Sequence, residues 1–293
     1  MQITVKPGRY VVAVSGGVDS MVLLDLLQTI ADIELVVAHL DHGIRTDSSQ
    51  DRLLVETMAN RYGMPFEYEE AKLGPMTGEA DARAVRYAFL ETVRIRHNAQ
   101  AIITAHHQDD VLETAVLNLL RGTGRKGLSS LQSSDVIIRP LLRIPKQDIR
   151  SYAKEHNIKW REDSTNQDER YLRNFVRRQL LTRLSTDQKQ QLADRLLATA
   201  AINEELDTLL LDAIQANTTD GGLGRQWFIS LPYDVSAEVM AAWLRKTGIR
   251  DFDRKAITRL VIAAKTALPG KRVDIAADNQ LYVGRHYLRI ARR

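Results

Sequence analysis

Cysteine is missing from all 293 residues of this chain. That excludes disulfides, thiolate metal sites and cysteine nucleophiles together. Long apolar runs are missing too. None approaches the roughly 18 residues that a membrane span needs. The opening stretch, Met-Gln-Ile-Thr-Val-Lys-Pro, has no apolar signal-peptide segment. The chain is therefore expected to be soluble and cytoplasmic, with no membrane partner. Repeats and low-complexity segments are also absent. Neither sign of charge dominates: 41 Lys and Arg stand against 37 Asp and Glu, a net charge of +4, with an isoelectric point near 9.2. That excess is compatible with nucleic-acid binding but does not establish it, so the placement of the arginines has to decide. Hydrophobic residues make up 44%, enough for a sizeable core, and the length suggests two domains.

The most informative stretch runs from residue 10 to residue 20. Tyr10–Val14 is apolar and β-branched, of strand length. Ser15-Gly16-Gly17-Val18-Asp19-Ser20 interrupts it, and Met21–Ile30 then carries leucines at helical spacing. A strand, a Gly/Ser turn and a helix start can hold a phosphate: glycines let the backbone approach closely, and the helix start offers free N–H groups. Ser15 and Ser20 add hydroxyls. Asp19 orients the loop or holds a bridging Mg²⁺. The alternative is an ordinary capped turn.

Further strands are expected at Glu34–His39, Pro65–Tyr68, Ala101–Ala105 and Asp135–Arg139. Helices between them are expected near 48–62, 81–97 and 109–120. Such alternation predicts an α/β fold, a doubly wound and mostly parallel sheet. Ligands of these sheets sit beyond the carboxyl ends of the strands. Ser15–Ser20, His39–Arg45 and His106–Asp110 all fall there. Lys146–His156 reads as a helix and Asn157–Glu162 as a short strand. Tyr171–Leu211 is almost wholly helical in pattern, and Asn217–Arg225 reads as a linker or long loop. A small α/β domain follows, with helices at 236–246 and 253–264 and strands at 271–275, 280–283 and 287–290. The expected organisation is residues 1–185 as the nucleotide-binding catalytic domain, 186–216 as a helical linker and 217–293 as the small C-terminal domain.

Four clusters could carry chemistry. His39-Leu40-Asp41-His42-Gly43-Ile44-Arg45 either reaches a base or ribose or is a polar loop. In His106-His107-Gln108-Asp109-Asp110-Val111-Leu112-Glu113-Thr114, Asp110 and Glu113 share a helix face. They hold a cation, or they form an ordinary acidic first turn. A zinc site is disfavoured by the lack of cysteine and of His-x₃-His spacing. Arg121-Gly122-Thr123-Gly124-Arg125-Lys126-Gly127 suits a loop that meets phosphates, with a glycine C-cap as the alternative. The last cluster is Arg161-Glu162-Asp163-Ser164-Thr165-Asn166 followed by Tyr171–Arg178; in it Arg173, Asn174 and Arg177 lie on one helical stretch with aromatics interleaved, which suits RNA. On composition alone a solvated helix would explain them as well.

In order along residues 10–180, SGGVDS, HLDHGIR, the ARAVRY helix, HHQDDVLET, LLRGTGRKGL, RPLLRIPKQDI and EDSTNQDERYLRN resemble the tRNA(Ile)-lysidine synthases. These belong to the N-type ATP pyrophosphatase, or PP-loop, group. The segment from Gly270 to Tyr287 resembles the end of that family's first C-terminal domain. The chain thus resembles a compact form lacking the last domain. The resemblance implies a ligase that uses ATP and Mg²⁺. It would join L-lysine to the 2-position of the wobble cytidine of tRNA(Ile) with a CAU anticodon, through an adenylated cytidine, releasing AMP and diphosphate. It implies Ser15, Gly16, Gly17, Val18, Asp19 and Ser20 for ATP, with Asp19 on Mg²⁺. Asp41, Arg86, Asp110 and Glu113 would be catalytic, with Asp110 and Glu113 gripping lysine. Arg83, Arg121, Arg125, Lys126, Arg173, Asn174 and Arg177 would contact tRNA or phosphate. The small C-terminal domain would bind tRNA, and a homodimer is left open. Rival readings are a tRNA thiolase, a small-molecule amide synthetase and a non-catalytic RNA-binding protein. Most thiolases of this group need cysteines, and carboxylates such as Asp110 and Glu113 have no purpose in simple RNA binding.

Overall fold

The computed structural model describes residues 1–43, 48–71, 73, 78–129, 131–162, 172–276 and 279–292, with the backbone alone for Glu79 and Asn174. The chain divides into two compact units, Met1–Ala200 and Ala201–Arg293. Among the described residues, no helix is long and apolar enough to cross a membrane.

The first unit is built on a five-stranded parallel sheet. Its strands are β1 (Gly8–Ala13), β2 (Ile33–Asp41), β3 (Phe66–Glu70), β4 (Ala101–Ile103) and β5 (Ile137–Ile138), in the order β3-β2-β1-β4-β5. Register is set by pairs such as Val12↔Val37 and Val12↔Ile103. The two-residue alternation of a strand sends Tyr10, Val12 and Val14 to one face. There they pack against Leu23 and Leu24 of α1 (Val18–Leu27), Val55 of α2 (Ser48–Arg61) and, further along the chain, Ile149 of the helix Lys146–Glu155. Val11 faces the other way, with Val36 and Ile102, onto Phe89, Leu90 and Val93 of α3 (Glu79–Arg96). Both faces are covered, which explains why β1 and β2 read as continuous apolar runs. The doubly wound α/β expectation holds. Beyond β4 come α4 (Gln108–Leu120), α5 (Arg125–Leu128) and α6, the helix Lys146–Glu155 already mentioned.

Two expectations need correction, and a third, the almost wholly helical stretch after 171, holds with a break. No strand forms at 157–162. Asn157 takes a left-handed conformation (φ 53°) that ends α6, and Ile158 N donates back to Ala153 O at 2.9 Å. The following backbone then bonds to the Gly16 carbonyl through Arg161 N at 3.0 Å. The helical stretch after 171 is interrupted. A short α7 (Leu172–Phe175) leads into a wide π-type turn (Val176–Leu180) and a 3₁₀ turn (Leu181–Arg183) before α8 (Thr186–Ala216). Ser185 and Gln188 start α8 by reciprocal bonds: Gln188 N to Ser185 Oγ at 3.2 Å, and Ser185 N to Gln188 Oε1 at 2.9 Å. Finally, 217–225 is not a linker. It folds into a hairpin of β6 (Thr218–Thr219) and β7 (Gly222–Gly224), and Leu223 between the glycines is fully buried.

The second unit adds α9 (Arg225–Ser230), α10 (Tyr233–Lys246), α11 (Arg254–Thr266), β8 (Lys271–Ala276), β9 (Asn279–Val283) and β10 (Tyr287–Arg292). Its strands form an antiparallel sheet in the order β6-β7-β10-β9-β8. Phe228, Leu244, Leu260, Leu281, Val283 and Leu288 form its core. Arg225 is buried, but its guanidinium donates to the carbonyls of Ala264 (3.0 Å), Gly284 (2.9 Å) and Ala267 (2.5 Å).

Candidate active site

A cleft of about 330 Å³ opens at the carboxyl ends of β1, β2 and β4. In the strand order, connections leave β1 in both directions, so this is the point where the winding reverses and where a doubly wound sheet leaves a crevice.

The loop after β1 is drawn tight by its own hydroxyls. Ser15 N donates to Ser20 Oγ at 3.1 Å, the two hydroxyl oxygens are 3.2 Å apart, and Ser20 Oγ donates to Gly17 O at 3.0 Å. Gly17 N donates to Ser15 Oγ at 3.4 Å. Gly16 has φ +86°, and a Cβ on it would lie 3.3 Å from Asp51 Cβ. Gly17 starts α1 without a side-chain cap, so the positive end of the helix is left for a ligand. Val18 turns its side chain into the core, so only its backbone can serve a ligand. Asp19 Oδ2 pairs with the Lys146 ammonium and lies 3.7 Å from His107 Nε2. Asp19 Oδ1 is buried with no partner. Among the described residues, no group of three or more His, Asp or Glu side chains could enclose a metal ion.

From β2, His39 Nδ1 bonds the Val14 carbonyl at 2.8 Å, and its ring stacks on Tyr68 with centroids 6.0 Å apart. Burial pushes its pKa below the ordinary histidine value. His39 therefore fastens β2 to the end of β1. Asp41 lines the cleft, and its Oδ1 accepts Gly43 N at 2.8 Å. Ile44 and Arg45 lie outside the described residues.

Beyond β4, Thr104 Oγ1 lies 2.8 Å from His106 Nδ1. Burial drives the His106 pKa down to about 3 against the pull of Asp110, and Arg139, Arg86 and Arg83 add to the fall. Burial works to raise the Asp110 pKa, but the neighbouring His107 and His106 and the bond from His107 N (2.9 Å) hold it below the usual carboxylate value. Glu113 shares that helix face, yet only Asp110 lines the cleft. Glu113 is fully buried under the Arg177 fork, with Nε at 2.6 Å and Nη2 at 3.0 Å, and Arg173 Nε lies 3.8 Å away. Burial raises its pKa, and the Arg177 fork opposes that rise.

On α3, Arg86 lines the cleft, and the Arg86 and Arg83 guanidiniums lie 5.4 and 4.8 Å from the centre of the Tyr87 ring. Arg121, Arg125 and Lys126 do not line the cleft. Their loop has the geometry of the glycine C-cap: Gly122 has φ +70° and its N donates to Leu119 O at 2.9 Å. The Asn174 side chain and residues 163–171 lie outside the described residues.

Sequence reasoning missed Asp51, Arg139 and Lys146, and it named Arg161 in its last cluster without its partner. Asp51 is buried at the cleft and pairs with Arg161 Nε at 2.6 Å. The segments holding the last three were visible as motifs. Their roles come from pairings across 110 or more residues for Arg161 and Lys146, which spacing cannot show.

Residues 2–184 match the PP-loop domain family. The chain is 45% identical over 173 residues to a tRNA(Ile)-lysidine synthase of Thermus thermophilus, a match covering 57% of this chain and 34% of that protein. With the protein of that name from Francisella tularensis subsp. holarctica it shares 28% identity over 288 residues, covering 95% of this chain and 72% of the relative. It thus spans about a third of the Thermus protein and nearly three quarters of the Francisella one. A U34-tRNA thiolase from Methanococcus maripaludis, solved with its 4Fe-4S cluster, superposes with a TM-score of 0.51 at 20% identity, covering 65% of this chain and 72% of that one. That likeness concerns the fold alone.

Proposed function

The chain belongs to the PP-loop domain family, and from that premise we propose that it is an ATP-dependent ligase. It joins L-lysine to the wobble cytidine of tRNA(Ile) with a CAU anticodon. One observation supports this reading above the others: a self-bonded Ser/Gly loop at a helix start and a carboxylate, Asp110, border the same cleft. The first suits a phosphate and the second suits an amine.

The Ser15–Ser20 loop holds the β- and γ-phosphates of ATP with its N–H groups, hydroxyls and helix dipole. The cytosine O2 attacks the α-phosphorus, diphosphate leaves, and the base becomes an adenylate. Arg86 lies in the cleft to neutralise charge on the phosphate. The lysine ε-ammonium is held by Asp110, loses its proton, and the amine displaces AMP at C2. Asp41 aligns the activated base. Glu113 joins the grip on lysine when Arg177 turns from it to phosphate or RNA. The orphaned Asp19 Oδ1 fits a Mg²⁺ carried in by the ATP phosphates, because such ions take few protein ligands. When bound, the ion neutralises phosphate charge. The first unit carries this chemistry and contacts tRNA through its own Arg121, Arg125, Lys126 and Arg173, and the second unit also binds tRNA, in the cytoplasm.

The Asp110→Ala variant tests the assignment. It should bind tRNA with wild-type affinity and form no lysidine, a rate loss of at least a hundredfold. Full modification by that variant would remove Asp110 from the site and weaken the whole reading.

A further inference from the structure

Gly16 is held from two sides by residues outside its own loop. Its carbonyl accepts Arg161 N at 3.0 Å. Its α-carbon is backed by Asp51, in the first turn of α2, so closely that an added Cβ would meet Asp51 Cβ at 3.3 Å. The two holders are themselves joined. Arg161 Nε lies 2.6 Å from Asp51 Oδ1, and Arg161 Nη1 donates to Gln50 Oε1. The contacts thus close into a ring: Gly16 to Arg161, Arg161 to Asp51, and Asp51 back to Gly16. Asp51 lines the cleft, whereas Gly16 and Arg161 do not.

An ion pair is an uneconomical fastener at this place. The Asp51 side chain is only 8% exposed and that of Arg161 30%. Desolvation offsets much of the attraction in such a pair, so its net contribution to stability is small. Its physical effect is orientation. A trans peptide sets its N–H opposite its C=O. With the Gly16 carbonyl fixed on Arg161, behind the cleft lining, the Gly17 N–H must face the other way, into the cleft that Gly17 lines. There it makes only a long bond, 3.4 Å to Ser15 Oγ, which a ligand oxygen can replace. Gly16, at φ +86°, has the backbone freedom that would otherwise let this peptide turn over. Arg161 also cancels a carboxylate that would repel any anion in the cleft.

We propose that Asp51 and Arg161 are positioning residues for the Ser15–Ser20 loop: their pair locks the Gly16–Gly17 peptide with its N–H toward the phosphates. The inference rests on the reading of that loop as the seat of the β- and γ-phosphates.

The test measures the Kd of α,β-methylene-ATP and of AMP, without tRNA or lysine. It uses the full chain and its Arg161→Met, Arg161→Lys and Asp51→Asn variants, with the Arg161→Met and Asp51→Asn changes also combined. AMP lacks the phosphates that the loop holds, so its affinity reports the rest of the cleft. Arg161→Met should weaken the ATP analogue about tenfold, the effect of one charge-assisted bond, and leave AMP unchanged. Arg161→Lys should recover part of that loss. The combined variant should be no worse than Arg161→Met, because both changes break one contact. Asp51→Asn keeps the shape of the side chain, so it carries the test if Arg161→Met does not fold. Unchanged affinity for the ATP analogue in the folded variants would overturn the proposal. An equal loss for both nucleotides would also overturn it, since that is the mark of a merely structural pair. A wild-type chain that binds the ATP analogue no better than AMP would overturn the loop reading and this proposal with it. A chain that meets every expectation here but ligates no lysine would uphold the proposal and overturn the ligase reading alone.

Discussion

His106 shows how a single residue records its surroundings. Its ring lines the cleft, is pinned by Thr104, and has a pKa near 3 because burial disfavours the imidazolium and three arginines stand close. At working pH it is neutral, so it takes part through hydrogen bonds. The consequence for stability follows from linkage. Between pH 6.5 and about 3 the unfolded chain binds a proton here that the folded chain does not, so folding stability must fall as the pH drops through that window. Urea unfolding of wild type and His106→Gln at a series of pH values checks this. The variant should show a flatter decline below pH 6.5, and parallel curves would contradict it. Asp110 and Glu113 carry a related lesson. Their spacing places both on one helix face, and both lie there. What spacing could not reveal is that Arg177, 64 residues further on, closes over one of them.

At the scale of elements, the loop after β1 depends on one glycine. Gly16 sits at φ +86°, its carbonyl accepts Arg161 N, and Asp51 presses on the space a side chain would need. Gly16→Ala should therefore destabilise the protein by about 1–3 kcal/mol and weaken ATP binding at least tenfold. Thermal unfolding and ATP titration measure the two effects, and an unchanged ATP affinity would contradict the role given to the loop. The sheet and its helices were largely legible because β1, β2 and β4 are apolar runs and the helices between them have clear periodicity. The reading failed where local signals mislead. Thr218–Gly224 has turn composition, and only Leu223 betrays a strand that packs. Residues 157–162 look extended, but their backbone bonds go to a loop. Ser185-Thr186-Asp187-Gln188 starts α8 by reciprocal bonds, a local signal that the reading of 171–211 as one helical stretch passed over.

For the whole molecule, the separate cores of the two units imply separable stabilities. Phe228 is fully buried in the second core. Phe228→Ala should cost that unit about 3–5 kcal/mol and lower its unfolding transition, while ATP binding by the first unit stays intact. Calorimetry with ATP titration would show it, and loss of ATP binding would mean the cores are coupled. The proposed reaction depends on the order of bond making: base to AMP first, lysine second. The direct measurement incubates the protein with α-labelled ATP and a tRNA(Ile) CAU transcript in the absence of lysine. The label should appear on the tRNA with release of diphosphate, and then leave as AMP when lysine is added. Release of ADP, or a tRNA that never carries the label and never gains lysine, would contradict the account.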